Sequence, residues 1–483
     1  METDPLVARD DASSKHHQPR NLGVLSASSL IFNKMIGTGV FSTPSLIYAS
    51  TGSLGISLIL WILGGIFSLT GISVYLEFGL AIPKSGGEYH YLQRVYRKPQ
   101  FLISCIFLTQ MILVGFSSGN CLAFGQYLLF ALGSQEPSDW NSRLIALAVL
   151  TLVCLLHAFK PAWGTRLGDI LGVVKIGVLV LIIAGGIAAL RMKDLPGLQN
   201  FEHFFANDGF GGSLYDYSVA LLNIIYSYKG WENANYVLSE VHNPSRTLSI
   251  AGPLAVGATT ILYVAVNLAY FAAIPKADIA SSGVIVAGLF FRNVFGLTFG
   301  QRILPMLILL SNLGNILAVS FAQARVNQEL GREGLLPYSD FWASTTNGSP
   351  AAGLLLHWIV SAIVLIAPPP GPAYQFIIDL YAYPGAWINV LVGAGLIYLH
   401  LHSVVEQWGA QYTDSVHFHS HDIINFVFLA SNLFVVIVPF IPPPSSTVLA
   451  PGYPYYLVPL VGSLTLLLGV PYWFWLKSRI VHP

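Results

Sequence analysis

Long apolar stretches separated by short polar segments run along almost the whole chain. Because a membrane-spanning helix needs about 20 mostly apolar residues, this pattern predicts twelve spans. The predicted spans cover residues 22–50, 54–81, 100–132, 142–159, 167–190, 214–238, 247–274, 302–330, 351–367, 373–402, 422–440 and 455–476. The links between them are short, so little room is left for a further domain.

The composition supports a membrane protein and excludes other classes. Of the 483 residues, 10% are charged and 54% are hydrophobic, whereas soluble domains carry about 25% charged residues. Such a chain is too apolar for a soluble globular protein or a disordered one. Lys plus Arg and Asp plus Glu both number 23, so the basic excess that nucleic-acid binding needs is absent. We predict an all-α membrane protein in the lipid bilayer, with no nucleic-acid partner.

The distribution of Lys and Arg predicts the orientation in the membrane. An even number of spans places both termini on one side, and cytoplasmic loops carry an excess of positive charge. With the N-terminus inside, fourteen Lys and Arg residues fall on the cytoplasmic side and six on the other. The segments 1–21 and 477–483 are therefore predicted to be cytoplasmic tails. The first 20 residues are polar, so no cleavable signal peptide is expected.

Two predicted spans are interrupted by glycine near their middles. The first contains the segment 37–39 (GTG) and the sixth contains the segment 227–230 (SYKG). Glycine inside a helix costs about 1 kcal/mol relative to alanine, and unpaired backbone at membrane depth is tolerated where it lines a cavity. The two interruptions therefore predict a cavity. The alternative is that these glycines serve tight packing between helices.

The spacing of the interruptions predicts an internal repeat. Spans one and six are five apart and cross the membrane in opposite directions, which is typical of an inverted repeat of five plus five helices. We assign residues 22–190 to the first repeat, 214–402 to the second and 422–476 to helices 11 and 12. The predicted fold thus has 12 transmembrane helices, a 5+5 inverted repeat with discontinuous helices 1 and 6, and two extra C-terminal helices.

Five segments carry a resemblance to a known family. They lie at the first break, after span two, at the sixth-span break, at its exit and after span eight: residues 33–44, 83–89, 226–231, 240–246 and 331–337. In this order they resemble the amino acid–polyamine–organocation (APC) superfamily, which has the LeuT-like fold, and within it the L-type amino acid transporter branch. The string 233–240 is most similar to fungal methionine permeases of that branch. The resemblance implies a permease that imports a neutral L-amino acid, methionine first, at the plasma membrane.

A zwitterionic amino acid needs donors for its carboxylate and acceptors for its ammonium. Backbone amides at the start of the second half-helix, those of Thr38, Gly39 and Val40, are placed to attract an anion. Carbonyls near Ile36 and in the sixth span face the ammonium. The family's substrate contacts fall on these same positions. The predicted substrate-binding residues are Ile36, Gly37, Thr38, Gly39, Val40, Tyr226, Ser227, Tyr228 and Asn235.

Two of these residues take their roles from the resemblance. Tyr226 stands where the family usually has an aromatic residue that closes over the substrate, and the alternative is ordinary helix packing. Asn235 matches a polar position that supports the amine network in the branch. The alternative for Asn235 is an interhelical hydrogen bond worth less than about 1 kcal/mol.

Lys175 is the candidate for proton coupling. It lies near the middle of the fifth span, and charged residues within spans are functional candidates. In proton-driven members of the family, a lysine on this span fills the place that sodium takes in sodium-coupled ones. We therefore expect Lys175 to bind and release the coupling proton. The alternative is a structural ammonium bonded to carbonyls of the broken first span.

Other charges near the breaks and the cytoplasmic ends have several interpretations. Lys229 and Glu232 depart from the branch pattern and are expected to pair with each other, although Lys229 could instead reach into the substrate site. Lys34 and Glu77 are expected to be interhelical partners or gate charges. By analogy with the family, an inner gate would consist of Arg94, Arg97, Arg246, Glu88 and Glu240; the alternative is solvated loop charge.

Enzymatic chemistry, cofactors and metals are not expected. The spans contain no metal-ligand set, no nucleophile with a base and no phosphate-binding loop. The alternating His417, His419 and His421 lack cysteine or carboxylate support for a metal. The loop 133–142 lacks the cysteine that would link a heavy chain by a disulfide. The competing functions are an amino acid exchanger of the same fold and an amino acid sensor that does not transport.

Overall fold

The structure is a computed structural model that describes most of the chain. It covers residues 23–84, 86–134, 138–191, 196–236, 238, 241–282, 286–296, 303–346, 348–367, 373–409, 418–443 and 454–481. The predicted N-terminal tail, residues 1–21, lies outside the described residues, as do residues 482–483 of the predicted C-terminal tail.

The described part of the chain is helical, and each of the twelve predicted spans contains a helix or a pair of helices. The first predicted repeat contains Val24–Met35, Gly39–Thr51, Leu54–Ala81, Leu102–Val114, Ser118–Ala131, Asp139–Phe159 and Pro161–Ala189. The second contains Leu214–Tyr228, Asn233–Tyr236, Pro244–Ala273, Leu304–Arg332, Ala351–Ile366 and Ala373–Leu401. The last two spans contain Asp422–Ile437 with the 3-10 turn Val438–Phe440, followed by Leu457–Leu467 and Gly469–Val481.

Short helices occupy several of the links between spans. These are Glu88–Val95, the 3-10 helix Pro196–Phe201, Lys276–Ser281, Val286–Phe295, Ser339–Ala343 and Ser403–Glu406. Within the described ranges, β structure is limited to isolated bridge residues, among them the pair Thr346 and Ser349.

The lengths of the helices agree with a membrane protein of this fold. Among the described residues, nine helices are long and apolar enough to cross a membrane, and the pair Val24–Met35 and Gly39–Thr51, bent by 46°, raises the number to ten. The two remaining predicted spans are represented by the shorter helices Leu214–Tyr228 and Ala351–Ile366, of 15 and 16 residues. The prediction of an all-α membrane protein is confirmed.

The two interrupted spans run antiparallel and meet at their breaks. The second half of the first span, Gly39–Thr51, packs against the first half of the sixth, Leu214–Tyr228. The first half of the first span, Val24–Met35, contacts the second half of the sixth, Asn233–Tyr236. Opposite halves can pair in this way only if the two spans point in opposite directions, as an inverted repeat requires.

Further pairs of equivalent spans also pack together. Span two, Leu54–Ala81, contacts span seven, Pro244–Ala273. The third span contacts the eighth through Ser118–Ala131, and the fourth contacts the ninth, Ala351–Ile366. The equivalent spans of the two halves therefore face each other around the centre of the bundle.

The fifth span shows how side chains divide between the bundle and its surroundings. Ile170, Val173 and Val180 are 62%, 72% and 52% exposed on the outside of the helix Pro161–Ala189, whereas Lys175 is fully buried on the inside. An outer surface of large apolar side chains would be costly in water and is favourable in lipid. The outer face of this helix is therefore apolar, as a bilayer protein requires, and its inner face carries a buried charge.

Two breaks differ from the sequence-based prediction. The sixth-span helix continues through Ser227 and ends at Tyr228, so the non-helical stretch is residues 229–232 rather than 227–230. The third span, predicted as continuous, is divided between Val114 and Ser118. There a Cβ on Gly115 would meet Gln323 Nε2, so the close approach of the eighth span accompanies this break.

Candidate functional site

The two broken spans touch through glycine. A Cβ on Gly39 would lie 2.6 Å from Ser227 Cα. On the other side, Gly230 has φ +132°, and a Cβ there would lie 2.8 Å from the backbone nitrogen of Met35. Only glycine accepts such distances, and a positive φ is also strained for other residues. The two helices thus cross at the predicted interruptions. The two interpretations of these glycines, a cavity and tight helix packing, are therefore compatible.

A cavity of about 290 Å³ opens at this crossing. It is lined by the backbone and side chains of the first break, by two residues of the sixth span and by residues of spans three, eight and ten. The lining residues are Lys34, Met35, Gly37, Thr38, Gly39, Asn120, Tyr226, Lys229, Asn315, Val319 and Tyr381. Of the predicted substrate-binding residues, the structure brings Gly37, Thr38, Gly39 and Tyr226 to this cavity.

Two asparagines connect the first break to spans three and eight. The backbone N–H of Thr38 donates to Asn120 Oδ1 at 3.3 Å, and Asn120 Nδ2 donates to Asn315 Oδ1 at 2.8 Å. Asn315 Nδ2 in turn donates to the carbonyl of Lys34 at 2.6 Å. An amide oxygen therefore occupies the position predicted for a carboxylate oxygen at the start of a half-helix.

Neither asparagine was identified from the sequence. A polar side chain inside an otherwise apolar span is a signal that points to a functional or packing role. Asn120 lies in Ser118–Ala131 and Asn315 in Leu304–Arg332, so this signal was present. It was not specific, because Asn312 is fully buried in the same helix as Asn315 and does not line the cavity.

Tyr226 lies against the first break. Its hydroxyl is 2.8 Å from Thr38 Oγ1, and its ring meets that of Tyr381 edge-on, with 6.1 Å between the ring centroids. Tyr226 lines the cavity and is hydrogen-bonded to Thr38. This is the position expected of a residue that closes over the substrate. The role itself remains a prediction.

The carbonyls predicted to face the ammonium already accept hydrogen bonds from the protein. Tyr226 O accepts from the N–H of Lys229 at 3.2 Å, and Ser227 O accepts from the hydroxyl of Tyr263 at 3.1 Å. Ile36 O accepts from Lys175 Nζ at 2.6 Å. Each carbonyl has a second lone pair, so a further donor can still bind.

Three other predicted residues lie away from the cavity lining. The side chain of Val40 is fully buried in the packing of the first span. The hydroxyl of Tyr228 donates to Trp61 O at 3.0 Å, and Asn235 Oδ1 accepts from the hydroxyl of Tyr91 at 3.3 Å. Asn235 therefore makes an interhelical hydrogen bond, which was the alternative stated for it, and Tyr228 makes one as well.

Lys175 contacts the broken first span directly. Its Nζ donates to Asn33 O at 2.7 Å and to Ile36 O at 2.6 Å, and the side chain is fully buried. Both carbonyls lie at the end of the half-helix Val24–Met35, where the break leaves them without helical partners. This contact was expected of a structural ammonium and is also compatible with proton binding, so the role of Lys175 in proton coupling stays a prediction.

The pairing of Lys229 with Glu232 was predicted wrongly. Glu232 Oε1 pairs with Lys34 Nζ at 3.3 Å, and its Oε2 accepts from the N–H of Gly230. Lys229 Nζ instead donates to Tyr381 O at 3.0 Å and lies 4.0 Å from the centroid of the Tyr381 ring. The break at residues 229–232 turns the two side chains in different directions, and Lys229 reaches the substrate cavity. The interhelical role expected for Lys34 is confirmed.

The predicted inner gate is also arranged differently. Arg94 and Arg97 both pair with Glu406, at 2.9 Å each, and the hydrogen bond from Arg94 holds the pKa of Glu406 below its usual value. Glu88 is buried and accepts hydrogen bonds from tyrosine hydroxyls. Glu240 lies outside the described residues. Glu406 was not predicted, because a carboxylate just after the tenth span gives no sign in the sequence that it will fold back onto residues 94–97.

Glu77 of the second span lies near His419, one of the three alternating histidines. Glu77 Oε1 is 2.8 Å from His400 Nε2 and accepts from Trp408 Nε1 at 2.8 Å. His419 Nδ1 is 3.9 Å from Glu77 Oε2. These hydrogen bonds join spans two and ten to the segment before span eleven, so Glu77 is an interhelical partner as expected. His417 lies outside the described residues.

Comparisons with known proteins agree with this geometry. A family model described as amino acid permease matches residues 22–464. The chain is 40% identical over 445 residues to the high-affinity methionine permease of Saccharomyces cerevisiae, which covers 91% of this chain and 76% of the relative. It is 28% identical over 482 residues to the low-affinity methionine permease of the same yeast, covering 96% and 84% of the two chains.

A mammalian transporter matches less closely. The chain is 28% identical over 382 residues to the b(0,+)-type amino acid transporter 1 of Rattus norvegicus, covering 76% and 75% of the two chains. The resemblance to the APC superfamily is confirmed, and the protein is a transporter rather than an enzyme. With a family model matched over most of its length and broken helices that meet around a central cavity, this chain belongs to the amino acid permease family.

Proposed function

We propose that this permease imports neutral L-amino acids, methionine first, across the plasma membrane, with both termini in the cytoplasm. The observation that carries the proposal is the cavity at the crossing of the two broken spans, where backbone amides of one half-helix are presented beside an aromatic side chain. The 40% identity to a yeast methionine permease supports methionine as the first substrate to test.

The head group of the amino acid is proposed to bind at the first break. The substrate carboxylate accepts hydrogen bonds from the amides that open the half-helix Gly39–Thr51, including that of Thr38. It replaces the Asn120 oxygen, which now accepts from Thr38. The ammonium donates to the second lone pairs of carbonyls at the ends of the half-helices, such as that of Ile36. These contacts recognise the α-amino acid head group and are indifferent to its side chain.

The substrate side chain is proposed to lie among Val319, Tyr226 and Tyr381. These residues line the cavity beyond the head-group amides. An unbranched thioether is flexible and makes favourable contacts with aromatic rings, so methionine suits this lining. Lys229 adds a positive charge at the cavity wall, which disfavours cationic side chains.

Transport is proposed to proceed by alternating access driven by a proton gradient. The two halves rock around the cavity so that it opens to one side at a time. Lys175 is proposed to carry the coupling proton, because its Nζ joins Asn33 O and Ile36 O at the end of the first half-helix. Loss of the proton removes the positive charge that faces these carbonyls and weakens both hydrogen bonds, so the conformation of the break depends on the protonation state. The absence of cysteine from the sequence 133–142 supports operation without a disulfide-linked heavy chain.

Uptake of radiolabelled methionine into cells that lack amino acid permeases tests the proposal. Concentrative uptake that responds to an imposed proton gradient, and that unlabelled neutral amino acids inhibit, is the expected result. Binding without accumulation would indicate a sensor. Uptake that requires an amino acid on the opposite side and ignores the proton gradient would indicate an exchanger.

A further inference from the structure

A second cavity lies beside the substrate cavity. It has a volume of about 470 Å³, and Lys229 belongs to the lining of both cavities. Its other polar lining residues include Glu88, Gln110, Glu232 and Asn389. Glu88 comes from the helix Glu88–Val95, which joins spans two and three on the side that we assign to the cytoplasm. The second cavity therefore extends from the substrate cavity toward that side.

The two oxygens of the Glu88 carboxylate have different surroundings. Oε1 accepts from the hydroxyl of Tyr75 at 3.0 Å and from that of Tyr236 at 2.9 Å. Oε2 is enclosed and has no hydrogen-bond partner among the described residues, although the residue is only 5% exposed. An unsatisfied buried oxygen is costly, about 1–3 kcal/mol and more for a charged group. Such an oxygen in a native protein calls for an explanation.

Gln110 contributes a second acceptor of the same kind. Its side-chain oxygen Oε1 is buried, lacks a partner in the described part of the chain and belongs to a residue that lines the same cavity. The two acceptors, Glu88 Oε2 and Gln110 Oε1, cannot form a hydrogen bond with each other while Glu88 is ionised. A proton on Glu88 Oε2 turns one acceptor into a donor and removes the charge that burial disfavours most.

The groups around Glu88 shift its pKa in both directions, and the upward shifts are larger. Several titratable groups face Glu88. They are Tyr75 from the second span, Tyr91 from the same helix as Glu88, Tyr236 and Glu232 from the sixth span, Lys229 at the cavity wall and Lys34 from the first span. Burial, followed by the negative charge of Glu232, raises the pKa of Glu88 to about 7, against the lowering effect of its own backbone N–H and of the two tyrosine hydroxyls. Glu88 thus changes its charge close to neutral pH.

We propose that Glu88 is a second proton-binding residue of the transport cycle, one that exchanges its proton with the cytoplasmic solution through the second cavity. On release, the Oε2–H bond breaks, the proton passes to water and the carboxylate keeps the electron pair. The new negative charge faces the cavity that Lys229 shares with the substrate site, so the charge change reaches the substrate. This inference rests on the proposed proton-driven uptake.

Purified protein in liposomes tests the inference. Methionine uptake is measured at fixed external pH while the pH on the cytoplasmic side is varied from about pH 6 to about pH 8. Wild-type protein should show a rate that changes with a midpoint near the titration of Glu88. Glu88→Gln should flatten this dependence, while methionine counterflow at equal pH persists, because glutamine keeps the size and the polar contacts of a protonated glutamate.

Tyr236→Phe is a second test, because a purely structural role of Glu88 would not produce its expected result. It removes a donor to the charged form of Glu88, so the midpoint should move to higher pH by up to about one unit. Tyr217→Phe, on the other half of the sixth span, is the matched control and should keep the wild-type midpoint.

The outcomes separate this inference from the proposed function. A wild-type rate that responds neither to an imposed proton gradient nor to cytoplasmic pH overturns both. A wild-type rate that responds to both, together with an unchanged pH dependence in Glu88→Gln, overturns only the role of Glu88. If Glu88→Gln fails to fold, Tyr236→Phe decides, since an unmoved midpoint overturns the inference.

Discussion

The side-chain oxygen of Asn120 accepts a hydrogen bond from the backbone N–H of Thr38, with 3.3 Å between Oδ1 and N. The third span thus places a neutral oxygen at the amide that the first break offers to an anion. When a substrate carboxylate binds there, the asparagine oxygen must move or share the donor. Asn120 is therefore a candidate for controlling access to the head-group site.

Asn120→Asp tests this relationship. The substitution keeps the shape of the side chain but places a negative charge where the substrate carboxylate should bind, so the two anions repel each other. We expect the KM for methionine to rise by about tenfold or more, which corresponds to about 1.4 kcal/mol of lost binding. Uptake kinetics in permease-deficient cells measure the effect.

Asn293→Asp is the matched control, because Asn293 donates to Ala273 O far from the cavity. It should keep the wild-type KM. An Asn120→Asp permease with unchanged KM at normal surface abundance would show that the carboxylate binds elsewhere.

Gly39→Ala should prevent transport by forcing the two broken spans apart. The added Cβ would lie 2.6 Å from Ser227 Cα, a backbone atom that cannot move without its helix. Gly177→Ala is the control, because a Cβ at Gly177 in the fifth span meets no atom within 4 Å. We expect Gly177→Ala to keep wild-type uptake and Gly39→Ala to lose it at comparable surface abundance. Equal uptake by both variants would contradict the close crossing.

The fold could be predicted from the sequence to a large extent because its main signals are local. Apolar stretches of membrane length fixed the number and position of the spans, and glycine marked the first break and its partner in the sixth span. The sixth break was misplaced by two residues, because Ser227 and Tyr228 can continue a helix and only Gly230, with its positive φ, cannot. The break between Val114 and Ser118 lies beside Gln323 of the eighth span, a tertiary contact that no local pattern encodes.

The site was less predictable than the fold. Gly37, Thr38, Gly39 and Tyr226 were found because they lie in the interrupted segments themselves. Asn120 and Asn315 come from spans without a comparable signal, and their approach to the break depends on how the bundle packs. The predicted pairing of Lys229 with Glu232 was wrong for the same reason. Glu232 is three residues from Lys229 in sequence but binds Lys34 of another span.

Glu232→Ala should destabilise the protein more than removal of both partners of its ion pair. Lys34 and Glu232 are 8% and 4% exposed, and a lone buried ammonium is strongly unfavourable. We expect Glu232→Ala to cost about 3–5 kcal/mol and to lower the melting temperature of the purified protein. The double variant Lys34→Met, Glu232→Ala should recover part of this loss. A double variant that melts lower than Glu232→Ala would contradict the pairing.

Tyr226→Phe and Tyr226→Ala distinguish the contribution of the hydroxyl to uptake from that of the ring. The hydroxyl bond to Thr38 is worth about 1 kcal/mol, so Phe should raise the KM by about fivefold. Ala removes the ring that lines the cavity and should abolish uptake without loss of surface protein. Tyr338→Phe, at an 86% exposed position, is the control. Unchanged uptake by Tyr226→Ala would remove the closing role from this residue.

Lys175→Ala should uncouple transport from the proton gradient. Without the ammonium that joins Asn33 O and Ile36 O, the first break no longer responds to protonation. We expect the variant to lose concentrative methionine uptake and its dependence on external pH, yet to retain counterflow between equal methionine pools, which needs no driving force. Lys98→Ala, at an exposed position, should behave as wild type. Loss of counterflow together with accumulation would favour a purely structural ammonium, whereas full pH-dependent accumulation in Lys175→Ala would mean that the coupling proton binds at another residue.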